Sequence, residues 1–229
     1  MEEYVLGIDD SGRGPVIGPM ILAGVLLRKK DEKKLKELRV RDSKLIAHSI
    51  RIKLAKEIKK IAISYKVIVI SPREIDERAS VGLNLNKIEA IKAADIINKL
   101  LDKLTKKSKK ISVYIDCPSV NIIKWKSYLL QHVSVDLDAK NFFVEHKADV
   151  NHVACSAASI IAKVAREQEM DKLRKKYGKI GSGYPSDPLT RKFLQEYTKK
   201  YKKYGIFRET WQTMKREKAT KEQKSLFEF

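Results

Sequence analysis

Two short apolar runs near the start of the chain, at residues 4–8 and 20–27, constrain its fold more than any other feature. The second run, from Met20 to Leu27, is continuously apolar, which is typical of a strand that is buried on both faces. A Gly-rich segment separates the two runs, so they are predicted to pair as a hairpin. A strand buried on both faces requires a sheet that helices cover on both sides.

Strand patterns and helix patterns alternate along the rest of the chain. Strands are predicted at 64–71, 111–116 and 141–145, and helices at 31–38, from an Asp42 or Ser43 cap through Ile61, from Pro72, at 86–104, from Ser119 through Leu129, and from His152 to about Tyr177. The last of these helices begins with many small residues, which would let it lie close against a sheet. Two basic helices, at 189–203 and 208–218, follow. The predicted fold class is α/β: a mixed sheet flanked by helices, with a helical C-terminal region.

The chain carries a strong positive charge. Its 229 residues contain 49 Lys and Arg against 29 Asp and Glu, which gives a net charge of +20. This excess indicates a polyanionic partner, either nucleic acid or an anionic membrane surface; the alternative is a lysine-rich surface without such a partner. No apolar run has the length needed to cross a bilayer and no signal-peptide pattern opens the chain, so no membrane partner is expected.

The two cysteines, Cys117 and Cys155, have neither the spacing of a metal site nor a disulfide framework around them. Each stands among apolar or small residues, which predicts buried free thiols in a reducing, cytoplasmic location. A zinc site is therefore not expected.

Carboxylates stand at or just after the ends of three predicted strands. They are Asp9 with Asp10, Asp116, and Asp149. Because neighbouring strand ends converge in a sheet of this kind, we expect the four side chains to lie close together. Oxygen ligands suit Mg²⁺ or Mn²⁺, and two such ions could activate a water molecule and stabilise the leaving oxygen of a phosphodiester. Together with the positive charge, this pattern favours metal-dependent cleavage of nucleic acid. The alternative is that each aspartate simply caps a helix.

The segment Gly12-Arg13-Gly14 follows the first pair of acids almost directly. Its glycines would let the backbone approach a ligand closely, and a guanidinium beside bare amides suits a phosphate group. A short Gly-rich loop is weak evidence on its own, and a hairpin capped by solvated acids explains it equally well.

Six blocks of sequence, taken in order, carry a family resemblance. They are GIDDSGRGP at 7–15, DSK at 42–44, YID at 114–116, EHKAD at 145–149, SAASIIAK at 156–163 and GSGYPSDP at 181–188. Through them the chain resembles ribonuclease HII, the ribonuclease H of type 2, in its archaeal form. The resemblance implies a ribonuclease H-like catalytic domain at 1–185, a helical region at 186–218 that assists duplex binding, and a flexible tail at 219–229.

The resemblance also implies an activity. The expected enzyme is a monomeric, metal-dependent endoribonuclease that cleaves the RNA strand of RNA/DNA hybrids. It would also cut on the 5′ side of single ribonucleotides embedded in duplex DNA, leaving a 3′-hydroxyl. The family's catalytic, metal-binding acids fall on Asp9, Asp10, Asp116 and Asp149, which would hold two Mg²⁺ or Mn²⁺ ions.

Residues that contact the substrate carry over in the same way. Gly12, Arg13 and Gly14 would contact the 2′-hydroxyl and backbone of the ribonucleotide, since that hydroxyl distinguishes RNA from DNA. Tyr184 would stack on the sugar of the following deoxynucleotide, although a buried structural tyrosine is the alternative. Lys44 would meet a backbone phosphate, while the block DSK taken alone fits a helix N-cap.

Three positions depart from the family pattern. Asp10 stands where the family usually has Glu, Glu167 where Asp is expected, and Leu45 where a second lysine is usual. The shorter Asp10 could weaken or shift a metal bridge, and Glu167 could partly offset this. Two rival functions follow: a hybrid-binding protein that has lost catalysis through Asp10, or another ribonuclease H-like nuclease such as a junction resolvase.

The end of the chain suggests a second function. Gln223, Leu226 and Phe229 have the spacing of the peptide with which replication proteins dock onto a sliding clamp. The two apolar side chains would fill a groove while the glutamine forms hydrogen bonds. A frayed hydrophobic tail is the alternative.

Overall fold

The computed structural model describes residues 2–40, 46–102, 104 and 110–216. Its strands are β1 (Glu3–Ser11), β2 (Met20–Arg28), β3 (Ser64–Ile70), β4 (Lys110–Asp116) and β5 (Phe142–Glu145). Its α-helices are α1 (Glu32–Glu37), α2 (His48–Ile61), α3 (Pro72–Ser80), α4 (Leu85–Leu101), α5 (Ile122–Leu130), α6 (Ala148–Asn151), α7 (Val153–Tyr177) and α8 (Pro188–Tyr201). Short 3₁₀ helices lie at Lys29–Asp31, Ala139–Asn141 and Lys202–Tyr204, and residues 212–216 are helical. None of the helices in these described ranges is long and apolar enough to cross a membrane.

The strands form one sheet in the order β3-β2-β1-β4-β5. β1 pairs with β2 in antiparallel orientation, with Ile8 opposite Gly24, and with β4 in parallel orientation, with Ile8 opposite Ile115. β5 continues the sheet parallel to β4, with Asp116 opposite Glu145. The predicted mixed sheet and its opening hairpin are confirmed, and β1 has a partner strand along each edge.

The chain divides into two compact units. The first contains Met1–Ser11, Ile21–Ile68 and Leu85–Ala165, and the second contains Gly12–Met20, Val69–Asn84 and Arg166–Phe229. The core of the first unit joins side chains of β1 and β2 to the first half of α7; its members include Val5, Ile21, Val25, Ala154, Ala158 and Ile161. The core of the second unit includes Val16, Ile17, Met170, Phe193 and Phe207.

The first half of α7 lies directly against β1. A Cβ atom added to Gly7 would stand 2.1 Å from the carbonyl carbon of Ala154, well inside any allowed contact. Small residues on both elements therefore permit this approach, and the prediction that the small residues of this helix serve packing is confirmed.

Three predicted helix starts are wrong. α2 begins at His48, with Ala47 as its N-cap, which is later than predicted; the proposed caps Asp42 and Ser43 lie outside the described residues. The buried side chains of α2 are Ala55 and Ile58. α5 begins at Ile122 instead of Ser119, because the Asn121 side chain accepts the hydrogen bond of the Lys124 amide and is an equally good cap. The helix expected from Arg208 starts at 212. The Arg208 amide donates instead to the carbonyl of Val16 at 2.9 Å.

Candidate active site

Three of the four predicted acids line one cavity of the first unit. Asp9 and Asp10 belong to β1, and Asp116 ends β4, the parallel strand beside it. Because parallel neighbours end at the same edge of a sheet, this pairing brings the carboxylates together. The described residues that line the cavity are Ile8, Asp9, Asp10, Leu22, Glu89, Ala93, Ile115, Asp116 and Trp125.

The carboxyl group of Asp9 is buried, with 6% of the residue exposed. Burial raises its pKa, and the neighbouring carboxylates of Asp10 and Asp116 raise the pKa further. A hydrogen bond from the Ser159 side chain and one of 2.7 Å from the Asp10 amide favour the ionised form and oppose this rise. A buried acid between like charges is an environment that a bound cation would neutralise.

Asp116 is bonded to the segment that carries the fourth acid. Its Oδ1 accepts a hydrogen bond of 2.9 Å from the amide of Ala148, the first residue of α6. Asp149 follows in α6 and is buried, and its carbonyl oxygen accepts a hydrogen bond of 2.5 Å from the Ser156 hydroxyl of α7. Hydrogen bonds thus join this segment to β4 and to α7, although Asp149 does not line the cavity that the other three acids share.

A second set of contacts brackets the same segment. His152 Nε2 lies 2.5 Å from Glu145 Oε1, and the His152 ring stacks on Tyr114 with centroids 3.9 Å apart. Phe143 also stacks on Tyr114, at 4.8 Å. Glu145 ends β5 and His152 precedes α7, so their contact closes the loop that contains Asp149. This pair was not among the predicted site residues.

The donor chemistry of the cavity suits a hard divalent cation. Its acids offer carboxylate oxygens, the ligands that Mg²⁺ and Mn²⁺ prefer, and no thiol or imidazole lies among its described lining residues. Across the ranges that the structure describes, no three His, Cys, Asp or Glu side chains are arranged to hold a metal ion as they stand. Both cysteines are buried and free, as predicted, and burial raises the pKa of the Cys155 thiol.

Two polar residues of this region were not predicted. Glu89 lines the cavity and is buried, and Ser159 bonds to Asp9. An acid between the buried residues Ile88 and Ala90 of α4 is a signal that could have identified Glu89, because a carboxylate on an apolar face needs a reason to be there. Ser159 gave no such signal, since its small-residue surroundings are explained by packing.

The second unit contains the Gly12-Arg13-Gly14 segment, which Arg208 holds in place. The Arg208 guanidinium donates to the carbonyl oxygens of Gly12 at 2.6 Å, Arg13 at 2.7 Å and Gly18 at 3.1 and 3.2 Å. Burial, together with the nearby Arg166, lowers the pKa of Arg208 to about 9, which leaves it cationic at neutral pH. Gly12 has a φ of +91°, and an added Cβ would lie 2.5 Å from Arg166 Nε, so both conformation and space require glycine there.

Tyr184 lies beside this segment in the same unit. A Cβ at Gly14 would be 3.4 Å from the Tyr184 ring, and the Arg166 guanidinium stands 5.2 Å from the ring centroid. Arg166 also donates to the carbonyl of Ser182 at 2.8 Å, which fixes the turn that bears the tyrosine. With 38% of its surface exposed, Tyr184 is not the buried structural tyrosine of the alternative interpretation.

The remaining residues named in the sequence analysis lie either outside the described ranges or in the second unit. Lys44, Gln223, Leu226 and Phe229 lie outside the described residues. Glu167, which was expected to offset the shorter Asp10, forms an ion pair of 2.8 Å with Arg174 in the second unit.

Comparison with known proteins gives a consistent result. The sequence model of the ribonuclease HII family matches residues 6–214. Ribonuclease HII of Pyrococcus furiosus is 39% identical over 96% of this chain and 93% of its own. Ribonuclease HII of Thermococcus onnurineus is 42% identical over 95% of this chain and 92% of its own.

Solved structures similar to this chain include members of the same family. The ribonuclease H2 of Pyrococcus horikoshii superposes with a TM-score of 0.80 at 37% identity, over 95% of this chain and 98% of its own. A complex of PCNA with RNase HII from Archaeoglobus fulgidus gives a TM-score of 0.78 at 37% identity, covering 91% and 94%. Bst-RNase HIII, solved in complex with Mn²⁺, shares the fold with a TM-score of 0.79 at 20% identity.

Proposed function

This chain belongs to the ribonuclease HII family, and we propose that it uses the carboxylates of Asp9, Asp10, Asp116 and Asp149 for catalysis. Membership makes it an endonuclease that hydrolyses the RNA strand of RNA/DNA hybrids and depends on divalent metal ions. Beyond this general activity, we propose that it cuts on the 5′ side of single ribonucleotides in duplex DNA and leaves a 3′-hydroxyl. The cavity that Asp9, Asp10 and Asp116 share is the observation that carries the proposal of catalysis by these carboxylates.

We propose that these acids hold two Mg²⁺ or Mn²⁺ ions. Two bound ions would supply an activated water molecule and charge stabilisation for the leaving oxygen. Asp9 supports this role because it is buried between like charges, and Ser159 with the Asp10 amide fixes the orientation of its carboxylate. Asp10 replaces the usual Glu but still lines the cavity with a carboxylate, which supports a catalytic enzyme over a protein that only binds hybrids.

Recognition of the ribonucleotide is assigned to residues of the second unit. Gly12, Arg13 and Gly14 would contact the 2′-hydroxyl and the backbone, and Arg208 supports this role because a backbone already held in place loses little entropy on binding. Tyr184 would stack on the sugar of the following deoxynucleotide, for which its part-exposed ring is suited. Lys44 would contact a phosphate, and the helical region at 186–218 would help grip the duplex.

The C-terminal peptide would dock on a sliding clamp through Gln223, Leu226 and Phe229. The support is the Archaeoglobus fulgidus relative, whose structure is a complex with PCNA. We further propose that the enzyme acts as a monomer in the cytoplasm, where its thiols stay reduced.

A nicking assay tests the proposed function. A labelled DNA duplex with one embedded ribonucleotide is incubated with Mg²⁺ or Mn²⁺, with EDTA as a control. We expect one metal-dependent cut on the 5′ side of the ribonucleotide, and none with Asp9→Asn. Cleavage of an all-DNA junction without a 2′-hydroxyl would indicate a resolvase instead. Cleavage of long hybrids alone would remove the single-ribonucleotide activity from the proposal.

A further inference from the structure

A groove in the second unit is lined by none of the individually named catalytic and substrate residues, although its α8 side chains belong to the region at 186–218 that we propose helps to grip the duplex. Its volume is about 490 Å³, within the range of roughly 300–1,000 Å³ that ligand pockets occupy. Its described lining residues include Tyr177, Lys179, Lys192, Phe193, Tyr197 and Lys200.

One wall of the groove is an aromatic stripe on α8. Phe193, Tyr197 and Tyr201 are spaced four residues apart and therefore share one helix face. The Tyr201 ring is inclined by only 16° to Phe193 and 23° to Tyr197, with centroids 5.8 and 5.6 Å away. Tyr177 at the end of α7 meets Tyr201 edge-on at 5.1 Å. The Tyr201 ring thus stacks on both Phe193 and Tyr197, which are inclined by 38° to each other.

Core packing accounts for only part of this stripe. Phe193 is buried in the core of the second unit, but 37% of Tyr197 is exposed, and 53% of Leu189, one turn before Phe193, is exposed. Tyr204, just beyond α8, is 50% exposed. An apolar and aromatic patch that continues from the core to the surface is typical of a binding surface.

The charges around the rings are almost all positive. Lys200 Nζ lies 5.1 Å from the centroid of Tyr201, and Lys203 Nζ lies 5.3 Å from that of Tyr204. Lys179 and Lys192 also line or flank the groove. Of its described lining residues one is acidic, Glu196, and its carboxylate is 3.8 Å from Lys192 Nζ. Ring faces interleaved with ammonium groups are complementary to a nucleobase and its phosphate.

We propose that this groove binds an unpaired nucleotide of single-stranded DNA or RNA. The base stacks on the exposed face of Tyr197, and the flanking phosphates contact Lys179, Lys192 and Lys200. A base pair inside a duplex has no free face to offer, so the groove prefers single strands to blunt duplexes. This function goes beyond cleavage, because it needs neither a ribonucleotide nor a metal ion.

Fluorescence anisotropy with the full chain in EDTA tests the proposal. The probes are labelled oligo-dT and oligo-U of about 12 nucleotides and a blunt DNA duplex of the same length. Tyr197→Ala removes the ring on which one base stacks, so we expect its Kd for the single-stranded probes to rise about tenfold. Its Kd for the duplex should change by less than about twofold. Tyr197→Trp should retain the affinity, because an indole also stacks.

Tyr65→Ala is the matched control. Tyr65 is an equally exposed tyrosine, at 41%, with Lys59 Nζ 5.0 Å from its ring centroid, but it lies on β3 in the first unit. Its removal should leave single-strand binding unchanged, and thermal unfolding should show that every variant is folded. A larger effect of Tyr197→Ala on oligo-dT identifies DNA as the ligand and a larger effect on oligo-U identifies RNA.

Two results would overturn the proposal: unchanged single-strand binding in folded Tyr197→Ala, or an equal loss for single strands and duplex. Neither result touches the nuclease function, since no probe contains a ribonucleotide within a duplex. Conversely, an enzyme that failed the nicking assay would still be expected to bind oligo-dT through Tyr197.

Discussion

The guanidinium of Arg208 donates a hydrogen bond of 2.6 Å to the carbonyl oxygen of Gly12, 196 residues earlier in the chain. The same side chain donates to the carbonyls of Arg13 and Gly18, so one planar group satisfies three backbone acceptors. A positioning role follows: Arg208 sets the shape of the loop that we assign to ribonucleotide recognition.

Arg208→Lys should therefore damage both stability and substrate binding. Lysine keeps the charge but cannot reproduce the planar fork. Because carbonyls left without donors cost ~1–3 kcal/mol each, we expect a loss of ~2–4 kcal/mol in the free energy of unfolding, measured in urea. The KM for a duplex with one ribonucleotide should rise about tenfold. Arg191→Lys, at an exposed position of α8, is the control and should change stability by less than ~0.5 kcal/mol. Equal effects of the two variants would refute the positioning role.

Asp9→Asn should stabilise the metal-free protein while abolishing cleavage. Asparagine keeps an oxygen that accepts the Asp10 amide, but it removes a buried charge that lies close to Asp10 and Asp116. We expect the Tm in EDTA to rise by about 2–4 °C, which corresponds to ~1 kcal/mol for a chain of this size.

The Tm of both proteins is then measured again in saturating Mg²⁺. The metal should raise the Tm of the wild type by more than that of Asp9→Asn, because binding to the folded state alone is stabilising. Asp136→Asn, an exposed acid outside the cavity, should change neither value. A lower Tm for Asp9→Asn in EDTA would show that the carboxylates do not repel one another.

Local sequence patterns were sufficient to predict the framework that carries the acids. The continuous apolar run predicted β2, and the apolar runs before Asp9 and Asp116 predicted that these acids stand near the ends of strands. The small residues of α7 predicted its close approach to the sheet. Contacts between distant segments had no such signal. Nothing near Arg208 indicates that its partner is Gly12, and nothing near His152 indicates Glu145.

Helix boundaries failed for a different reason, because several good caps compete locally. Ser119 and Asn121 can both cap α5, and the choice depends on how the helix packs. Glu89 shows the opposite case, in which an apolar helix face made an acid conspicuous but could not reveal that β1 and β4 surround it.

Asp187 should make the stability of the second unit depend on pH. Its carboxylate accepts hydrogen bonds from the amides of Ser182 at 2.6 Å and Leu189 at 2.9 Å, and these bonds lower its pKa. The folded state therefore favours the ionised form. This stabilisation is present above the unfolded pKa of about 3.9 and is lost as the pH falls through the lower folded value.

Asp187→Asn should accordingly cost ~1 kcal/mol of unfolding free energy at neutral pH, the usual value of a helix cap. The difference from the wild type should shrink below about pH 4, as the wild-type carboxylate becomes protonated. Urea unfolding across this pH range checks both statements, and Asp136→Asn, an exposed acid of the first unit, is the control. A difference that stays constant with pH would contradict the assignment.

The contact of His152 with Glu145 should control catalysis through Asp149. Because this pair closes the loop that carries Asp149, His152→Ala or Glu145→Ala should lower kcat about fivefold to tenfold and leave KM nearly unchanged. A higher Mg²⁺ concentration should then be needed for half-maximal rate. A double-mutant cycle on kcat should give a coupling of ~1 kcal/mol, since each single change already breaks the contact.

His132→Ala provides the matched control for that cycle. His132 is an exposed histidine whose ring meets Tyr128 edge-on at 5.0 Å, and it lies outside the segment from Glu145 to His152 that carries Asp149. Its removal should alter neither kcat nor the Mg²⁺ requirement. If His152→Ala lowered the Tm but left the Mg²⁺ requirement unchanged, the pair would be a structural contact without influence on Asp149. Additive effects of the two alanine variants would lead to the same conclusion, because residues that act through one contact cannot be independent.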